Sequence, residues 1–361
     1  MPYLALGSEL ALTNTRGGEY APTFGPGHPM SRPTIRDVAE VAGVSVSTVS
    51  RVLSHPELFR ESTRQRVQEA ATSLNYSPSR HAASLSTGKT ANIGLITPSL
   101  SNPVFAEMVK AGQHRADDAG FAVLLGDSDD DAGREQKLIH ALAKDVDGII
   151  DFSSLLPADQ LPAAAALRPM VFVNRAVTGQ RCVLVNSLQG MRLIMHYLAN
   201  LGHDSVYYLP GPEYSWVAAD RESAAAIAAD EAGVQFELGA AGGPGFEAGV
   251  GHADRLMGGP LPTAILCFND VMALGVLSRL LAVGVRVPER VSVCGWGGTR
   301  FAGYYTPPLT TISMPLQDLG RIAVEQLLLR PVPPSPNDPG PHLLLDVTLD
   351  ARATTGRAAV R

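Results

Sequence analysis

The chain has 361 residues, 45% of them hydrophobic, which is enough for two or three packed units that each have a core. Its formal net charge is −6, yet residues 31–89 contain eight Lys and Arg against five Asp and Glu, so the basic character is local. No run of about 18 or more apolar residues is present, which argues against a membrane-spanning helix. Residues 1–30 also lack a basic start followed by an apolar block, so we expect a cytoplasmic protein without a secretion signal.

Residues 1–30 end in the Gly- and Pro-rich stretch TFGPGHPM. We expect them to be an extension without a fixed fold, or else sequence upstream of a true translation start at Met30. In either case the folded part of the chain is predicted to begin near residue 31.

Residues 34–53, TIRDVAEVAGVSVSTVSRVL, have the pattern of two short helices joined by a glycine turn. Thr34 and Asp37 have the spacing of a capping box, and Gly43 suits the end of the first helix. The apolar face of that helix repeats at spacings of three and four and consists of Ile35, Val38, Ala39 and Ala42.

The second helix is predicted to begin after Ser45 as its cap, with Val49, Val52 and Leu53 as its inward residues. Its outward residues are then Val46, Ser47, Ser50 and Arg51. Two helices with this turn form the helix-turn-helix unit, whose second helix enters a DNA major groove. A generic pair of helices has the same spacing, so the pattern alone leaves both interpretations open.

A third helix is predicted with a cap at or near Ser62 and an apolar stripe formed by Val67, Ala70, Ala71 and Leu74. With it, three motifs follow one another: DVAEVAGVSVSTVSRVL at 37–53, TRQRVQEA at 63–70 and LNYSPSRHAASL at 74–85.

These motifs resemble the N-terminal domain of the LacI family of transcriptional repressors. The resemblance continues through IGLITPSLSNPVFAEM, GVRVPERVSVCGW and YTPPLTTI, and covers about residues 33–350. It implies a homodimeric repressor that binds double-stranded operator DNA and responds to a small effector, which we expect to be a sugar. The implied domains are a helix-turn-helix domain (31–76), a hinge helix with its linker (77–91) and a two-lobed core (92–361).

Arg51 is the residue that we expect to read a base, because its guanidinium matches guanine O6 and N7. Val46 and Ser47 are similar in position to the family's specificity pair. Phosphate contacts are expected from Thr34, Ser45, Ser50 and Tyr76, with plain helix capping as the alternative for each serine. The resemblance implies that Leu85 is the leucine that wedges into the minor groove.

From residue 92 the sequence alternates short apolar runs with helical stretches. NIGLIT, VDGIIDF, TAILCF and VSVCGW are typical of buried strands, and helices are predicted near 103–119 and 133–144. Strands that are apolar throughout, separated by helices, indicate parallel sheets covered on both faces. The fold class predicted is therefore a small all-α DNA-binding domain followed by a two-lobed α/β core of parallel sheets. The resemblance implies a core similar to periplasmic sugar-binding proteins, with chain crossovers near 175–187 and 295–315.

Ligands of open α/β sheets bind beyond the carboxyl ends of the strands, so a cleft between the lobes is expected. The resemblance points to effector contacts from Asn102, Phe105, Asn174, Arg221 and Asn269, with Trp296 as a stacking surface. Amides and one guanidinium around an aromatic wall suit a neutral, hydroxyl-rich ligand.

Two departures from the family occur at this cleft. GWGG stands where the family usually has GFDD or GYDN, so Gly297 replaces an acid, and RESAA replaces RLAGY from residue 221. Either the ligand is atypical, or effector binding has been lost.

Other motifs do not support a different chemistry. GKT at 88–90 lacks the glycine that a P-loop needs at Ala83, and DSDDDAG at 127–133 has Ala132 where a calcium loop needs glycine. No catalytic motif or metal-ligand cluster is visible, so we expect no enzyme, cofactor or metal site. The alternatives are a solute-binding receptor without a DNA role, an enzyme acting on a sugar, and a regulator without an effector response.

Overall fold

The computed structural model describes residues 33–76, 89–329 and 340–359. The chain forms two compact units, one ending at Ala82 and the other beginning at Ala83. Among the described residues, no helix is both long and apolar enough to cross a membrane.

In its described residues, 33–76, the first unit contains helices and no strand. It contains α1 (Ile35–Ala42), α2 (Val46–Ser54), a 3-10 turn (Pro56–Leu58) and α3 (Glu61–Ser73). The predicted apolar faces form its core, with Val38, Val49 and Val67 fully buried.

The third helix begins near Ser62, as predicted, but Ser62 itself is not its cap. Arg60 has the extended N-cap conformation and Glu61 is the first helical residue, so Ser62 lies inside the first turn instead of capping it. An acid in that turn interacts favourably with the helix dipole. A serine hydroxyl is therefore not needed to begin this helix.

The second unit contains two six-stranded sheets. The first sheet comprises β1 (Asn92–Thr97), β2 (Ala122–Asp127), β3 (Gly148–Phe152), β4 (Met170–Val173), β5 (Arg181–Val185) and a later strand, β11 (His342–Leu345). The second sheet comprises β6 (Ser205–Leu209), β7 (Gln235–Leu238), β8 (Ala264–Cys267), β9 (Ser292–Gly297), β10 (Thr310–Ser313) and β12 (Thr348–Asp350).

The strand orders are β11-β5-β4-β3-β1-β2 and β12-β10-β9-β8-β6-β7. All neighbouring strands are parallel except β10 and β12, which are antiparallel. The helices of this unit are α4 (Pro103–Asp118), α5 (Ala132–Leu142), α6 (Leu161–Leu167), α7 (Ser187–Asn200), α8 (Trp216–Ala232), α9 (Phe246–Met257), α10 (Asp270–Ala282), α11 (Arg300–Tyr304) and α12 (Leu316–Leu328). The predicted two-lobed α/β core is confirmed.

The chain crosses between the lobes three times in the described residues. The crossings lie at Asn186 between β5 and α7, at 314–315 between β10 and α12, and at 346–347 between β11 and β12. The first two fall inside the predicted ranges, and the third was not predicted because the four-residue strand β11 does not indicate which sheet it joins. Asn186 Nδ2 donates to Asp346 Oδ1 at 3.2 Å, so the first and third crossings are hydrogen-bonded to each other.

Candidate DNA-reading surface and ligand cleft

One face of α2 is exposed and polar. Val46, Ser47, Ser50 and Arg51 are all exposed on it, while Val49 and Val52 are buried against the helical core. The four residues predicted to face outward therefore lie together on the surface of the second helix, the helix that reads DNA in a helix-turn-helix unit.

The polar residues at the two helix starts are engaged in capping. Ser45 Oγ accepts from the backbone N–H of Thr48 at 3.1 Å and lies 2.8 Å from the hydroxyl of Ser47. Thr34 donates its backbone N–H to Asp37 Oδ2 at 2.7 Å, and this bond lowers the pKa of the Asp37 carboxyl. Capping thus accounts for the local conformation of both residues, and their exposure leaves them accessible to a phosphate.

Arg51 has an aromatic neighbour that sequence analysis did not single out. Its guanidinium carbon lies 5.8 Å from the ring centroid of Phe59, which is partly buried against the helical core. Tyr76 packs against the same core, and burial raises the pKa of its hydroxyl. Leu85 and most of the predicted hinge segment 77–91 lie outside the described residues.

A cavity of about 310 Å³ lies between the two α/β lobes, at the carboxyl ends of their strands. All six residues predicted to contact an effector line it: Asn102, Phe105, Asn174, Arg221, Asn269 and Trp296. These residues come from five separate parts of the sequence, and the strand ends bring them together.

Two of the asparagines also cap helices. Asn102 Oδ1 accepts from Val104 N at 3.1 Å at the start of α4, and Asn269 Oδ1 accepts from Met272 N at 2.8 Å at the start of α10. Asn269 Nδ2 additionally donates to the carbonyl oxygen of Pro244 at 2.9 Å. Each amide is therefore fixed in orientation before any ligand arrives.

Two neighbouring strand ends have left-handed backbone at the cavity. Ser153 and Asn174, which follow β3 and β4, both have φ of 54°. Asn174 N donates to Val183 O at 2.9 Å, and Ser153 N donates to Val173 O at 2.7 Å. Non-glycine residues rarely adopt this conformation, and such backbone clusters at ligand sites.

Arg221 is buried between two aromatic rings. Its guanidinium carbon lies 4.8 Å from the ring of Trp296 and 5.0 Å from that of Phe268, and its Nη1 donates to the Phe268 carbonyl oxygen at 2.8 Å. Burial lowers the pKa of Arg221 to about 10. Trp296 is only 1% exposed, so in this structure its stacking partner is Arg221.

A buried charged cluster lies beside this cavity and was missed by sequence analysis. Ser154 Oγ and the backbone N–H of Leu155 donate to the carboxylate of Glu135. Burial and the nearby charge of Glu135 raise the pKa of Asp151 well above its usual value. The only sequence signal was an acid inside the apolar strand VDGIIDF.

Arg175 of this cluster reaches the other lobe. It follows β4, and its guanidinium carbon lies 5.9 Å from the ring of Trp216, the first residue of α8. Its Nη2 also donates to Leu156 O at 3.1 Å. The lobes are therefore in contact through a cation over an aromatic ring, as well as through the crossings.

Comparison with known families gives two matches. Residues 34–79 match the bacterial regulatory proteins of the lacI family, and residues 195–355 match a periplasmic binding protein-like domain.

Curated relatives resemble most of the chain. The HTH-type transcriptional regulator DegA of Bacillus subtilis is 32% identical over 296 residues, covering 80% of this chain and 88% of DegA. The HTH-type transcriptional repressor PurR of Photobacterium profundum is 33% identical over 309 residues, covering 82% of this chain and 91% of PurR.

Solved structures also resemble this chain over most of its length. The lac repressor dimer bound to operator and the anti-inducer ONPF matches with a TM-score of 0.78 and 30% identity, over 90% of this chain and 99% of that one. The transcriptional regulator CelR in complex with cellobiose matches with a TM-score of 0.64 and 25% identity, over 90% of this chain and 100% of CelR.

Proposed function

Because the chain belongs to the LacI family of bacterial regulatory proteins, we propose that it is a cytoplasmic, homodimeric repressor whose affinity for operator DNA is set by a small ligand. One observation carries this proposal. The same chain has an exposed face on α2 that suits a DNA groove and a cavity between its two α/β lobes. Its role is regulatory and not catalytic. The working parts are a helix-turn-helix domain at 31–76, a hinge at 77–91 and the core at 92–361.

DNA reading is assigned to the exposed face of α2. Arg51 donates to a guanine, and Val46 and Ser47 meet neighbouring bases through methyl and hydroxyl groups. Phosphate contacts come from the set Thr34, Ser45, Ser50 and Tyr76, which fix position without reading sequence. In this proposal Leu85 of each subunit wedges into the minor groove at the operator centre.

The ligand occupies the cleft and contacts the six lining residues named above. The CelR complex contains cellobiose, and the shared fold supports a ligand of the sugar class here as well. A ligand alters operator affinity only to the extent that it binds one arrangement of the lobes better than another. The hydrogen bond between Asn186 and Asp346 ties two of the crossings about which such a rearrangement would take place.

The test is a binding selection on a library of genomic DNA fragments, carried out with the full-length protein in the presence and absence of a sugar panel. We expect recovery of fragments that share a palindromic site, and a change in recovery with at least one compound. Recovery of DNA without any common site would contradict the proposal that the protein is a sequence-specific repressor. Recovery of a common site that is insensitive to every added sugar would contradict the proposal that a ligand controls DNA binding.

A further inference from the structure

Four helices of the core begin at the cavity between the lobes. Their N-cap residues, all of which line it, are Asn102 of α4, Ser215 of α8, Gly245 of α9 and Asn269 of α10. The N-terminus of a helix is equivalent to roughly +0.5 of an elementary charge. These four helix starts therefore contribute positive electrostatic potential at the cavity.

Arg221 adds a full positive charge that forms no ion pair among the described residues. The side chain is 5% exposed, and with a pKa of about 10 it is protonated at neutral pH. None of the ion pairs among the described residues includes it. Tyr208, Asp220 and Asp270 are close enough to raise the pKa of Arg221 against the larger effect of burial. The Asp270 carboxylate is engaged elsewhere, because it accepts hydrogen bonds from Thr299 and Thr311.

One edge of the Arg221 guanidinium is left without a strong acceptor. Nε has no hydrogen-bond partner among the described residues, and Nη2 reaches only the thioether sulfur of Met314 at 3.7 Å. These two nitrogens form the side edge that pairs with both oxygens of a carboxylate or phosphate. Met314 also lines the cavity, and a methionine is flexible enough to move aside for a ligand.

Negative charge at the cavity is limited. Among the described lining residues the one carboxylate is Asp130, whose pKa is raised by burial and by the charges of Asp127 and Asp129. Gly297 offers no side chain where the family usually has an acid, and its φ of 149° suits glycine. The formal charges of the two charged lining residues, Arg221 and Asp130, cancel, and the four helix N-termini add positive potential to the cavity.

We infer that the ligand of this cleft is an anion, a sugar acid or a sugar phosphate, whose carboxylate or phosphate binds the Nε and Nη2 edge of Arg221. The inference rests on the proposed function and narrows it. It replaces the neutral ligand expected from the sequence with an anionic one, because a neutral sugar would leave the charge of the buried guanidinium uncompensated. A bound anion compensates that charge in a place where burial makes the pairing strong.

Calorimetry on the full-length protein with matched probes tests the charge requirement. The pairs are D-glucuronate with D-glucuronamide and glucose 6-phosphate with glucose, and inorganic phosphate serves as a probe independent of sugar shape. We expect an anionic member to bind at least about tenfold more tightly than its neutral match, as for a charge-assisted bidentate contact. Equal or tighter binding of the neutral members, or no binding of any anionic probe, overturns the inference.

Two variants locate the anion. Arg221→Met should reduce the affinity for the anionic probe by at least about tenfold, and Asp130→Asn should strengthen it by removing the opposing charge. Anion binding that survives in Arg221→Met, or that weakens in Asp130→Asn, contradicts the assignment. The proposed function fails by a different result. If neutral sugars bind and shift operator affinity, only the claim that the ligand is an anion is overturned. If a whole metabolite extract leaves operator affinity unchanged, control by a ligand is itself overturned.

Discussion

Arg51 lies over the ring of Phe59, with 5.8 Å between its guanidinium carbon and the ring centroid. A cation on an aromatic face is weakly held at an exposed site, by about 0.5–1 kcal/mol, but the contact favours one side-chain orientation. Since Phe59 is packed against the helical core, the favoured orientation is defined relative to α2. The proposed base-reading arginine is thus partly preorganised before DNA binds.

Arg51→Ala should weaken binding to the specific operator by roughly 1–3 kcal/mol and relax the preference at one base pair in each half-site. The reason is loss of the proposed bidentate contact to guanine. Quantitative DNA titrations on the operator and on each single-base variant of it measure both effects.

Arg51→Lys is the matched control, because it keeps the charge and loses the planar pair of donors. It should keep non-specific affinity while losing the base preference. An equal loss on all DNA sequences in Arg51→Ala would mean that this arginine contacts phosphate only.

Asp151→Asn should stabilise the folded core, and the gain should grow with pH. The pKa of Asp151 is raised above its usual value of 3.8, so between that value and the folded-state pKa the folded chain holds more protons than the unfolded chain. The free energy of unfolding therefore falls as pH rises through this interval. Asparagine stays neutral at every pH, so the variant does not lose this stability. Urea denaturation at about pH 5 and about pH 8 measures the difference.

Asp145→Asn, at an exposed position on the same lobe, is the control for the pH experiment. It should give a similar, small change at both pH values. A gain for Asp151→Asn that is the same at the two pH values would contradict a raised pKa at this carboxyl.

Gly320→Ala should destabilise the core by about 1–3 kcal/mol through overpacking. Gly320 lies in α12 where this helix packs on α4, and a Cβ there would overlap the carbonyl oxygen of Met108. Gly112 in α4 faces the same contact, but a Cβ on it would lie 3.4 Å from Gly320 O, which is ordinary contact. Gly112→Ala is therefore the control and should be tolerated in thermal unfolding. Equal destabilisation by the two variants would contradict the predicted overlap between a Cβ at residue 320 and the backbone of Met108.

Features that depend on neighbouring residues were predictable from the sequence. The Ser45 cap, the Thr34 and Asp37 capping box and the strand at 92–97 were predicted from local spacing and apolar runs, and the structure has them. The cap of α3 was predicted only to lie at or near Ser62, since several residues there could begin that helix, and the structure places it at Arg60.

Features that depend on distant pairings were not predictable. Arg221 was singled out by resemblance, yet no local pattern indicates that its side chain lies between Phe268 and Trp296, which are far along the chain. The contact of Glu135 with Ser154 and the third crossing between lobes likewise depend on how separate strands are ordered in the sheets.

The most direct test of ligand control is a titration of operator DNA with wild-type protein and Arg221→Ala, each with and without a compound that binds the cleft. Coupling of about 1–3 kcal/mol predicts that the compound shifts the wild-type operator affinity by roughly 5- to 150-fold. Arg221→Ala should have nearly the wild-type operator affinity without the compound and no shift with it, because Arg221 lines the cleft and is not part of the helical unit proposed to bind DNA. A shift of the same size in the variant, or no shift in the wild type with any cleft-binding compound, would contradict control of DNA binding through this cleft.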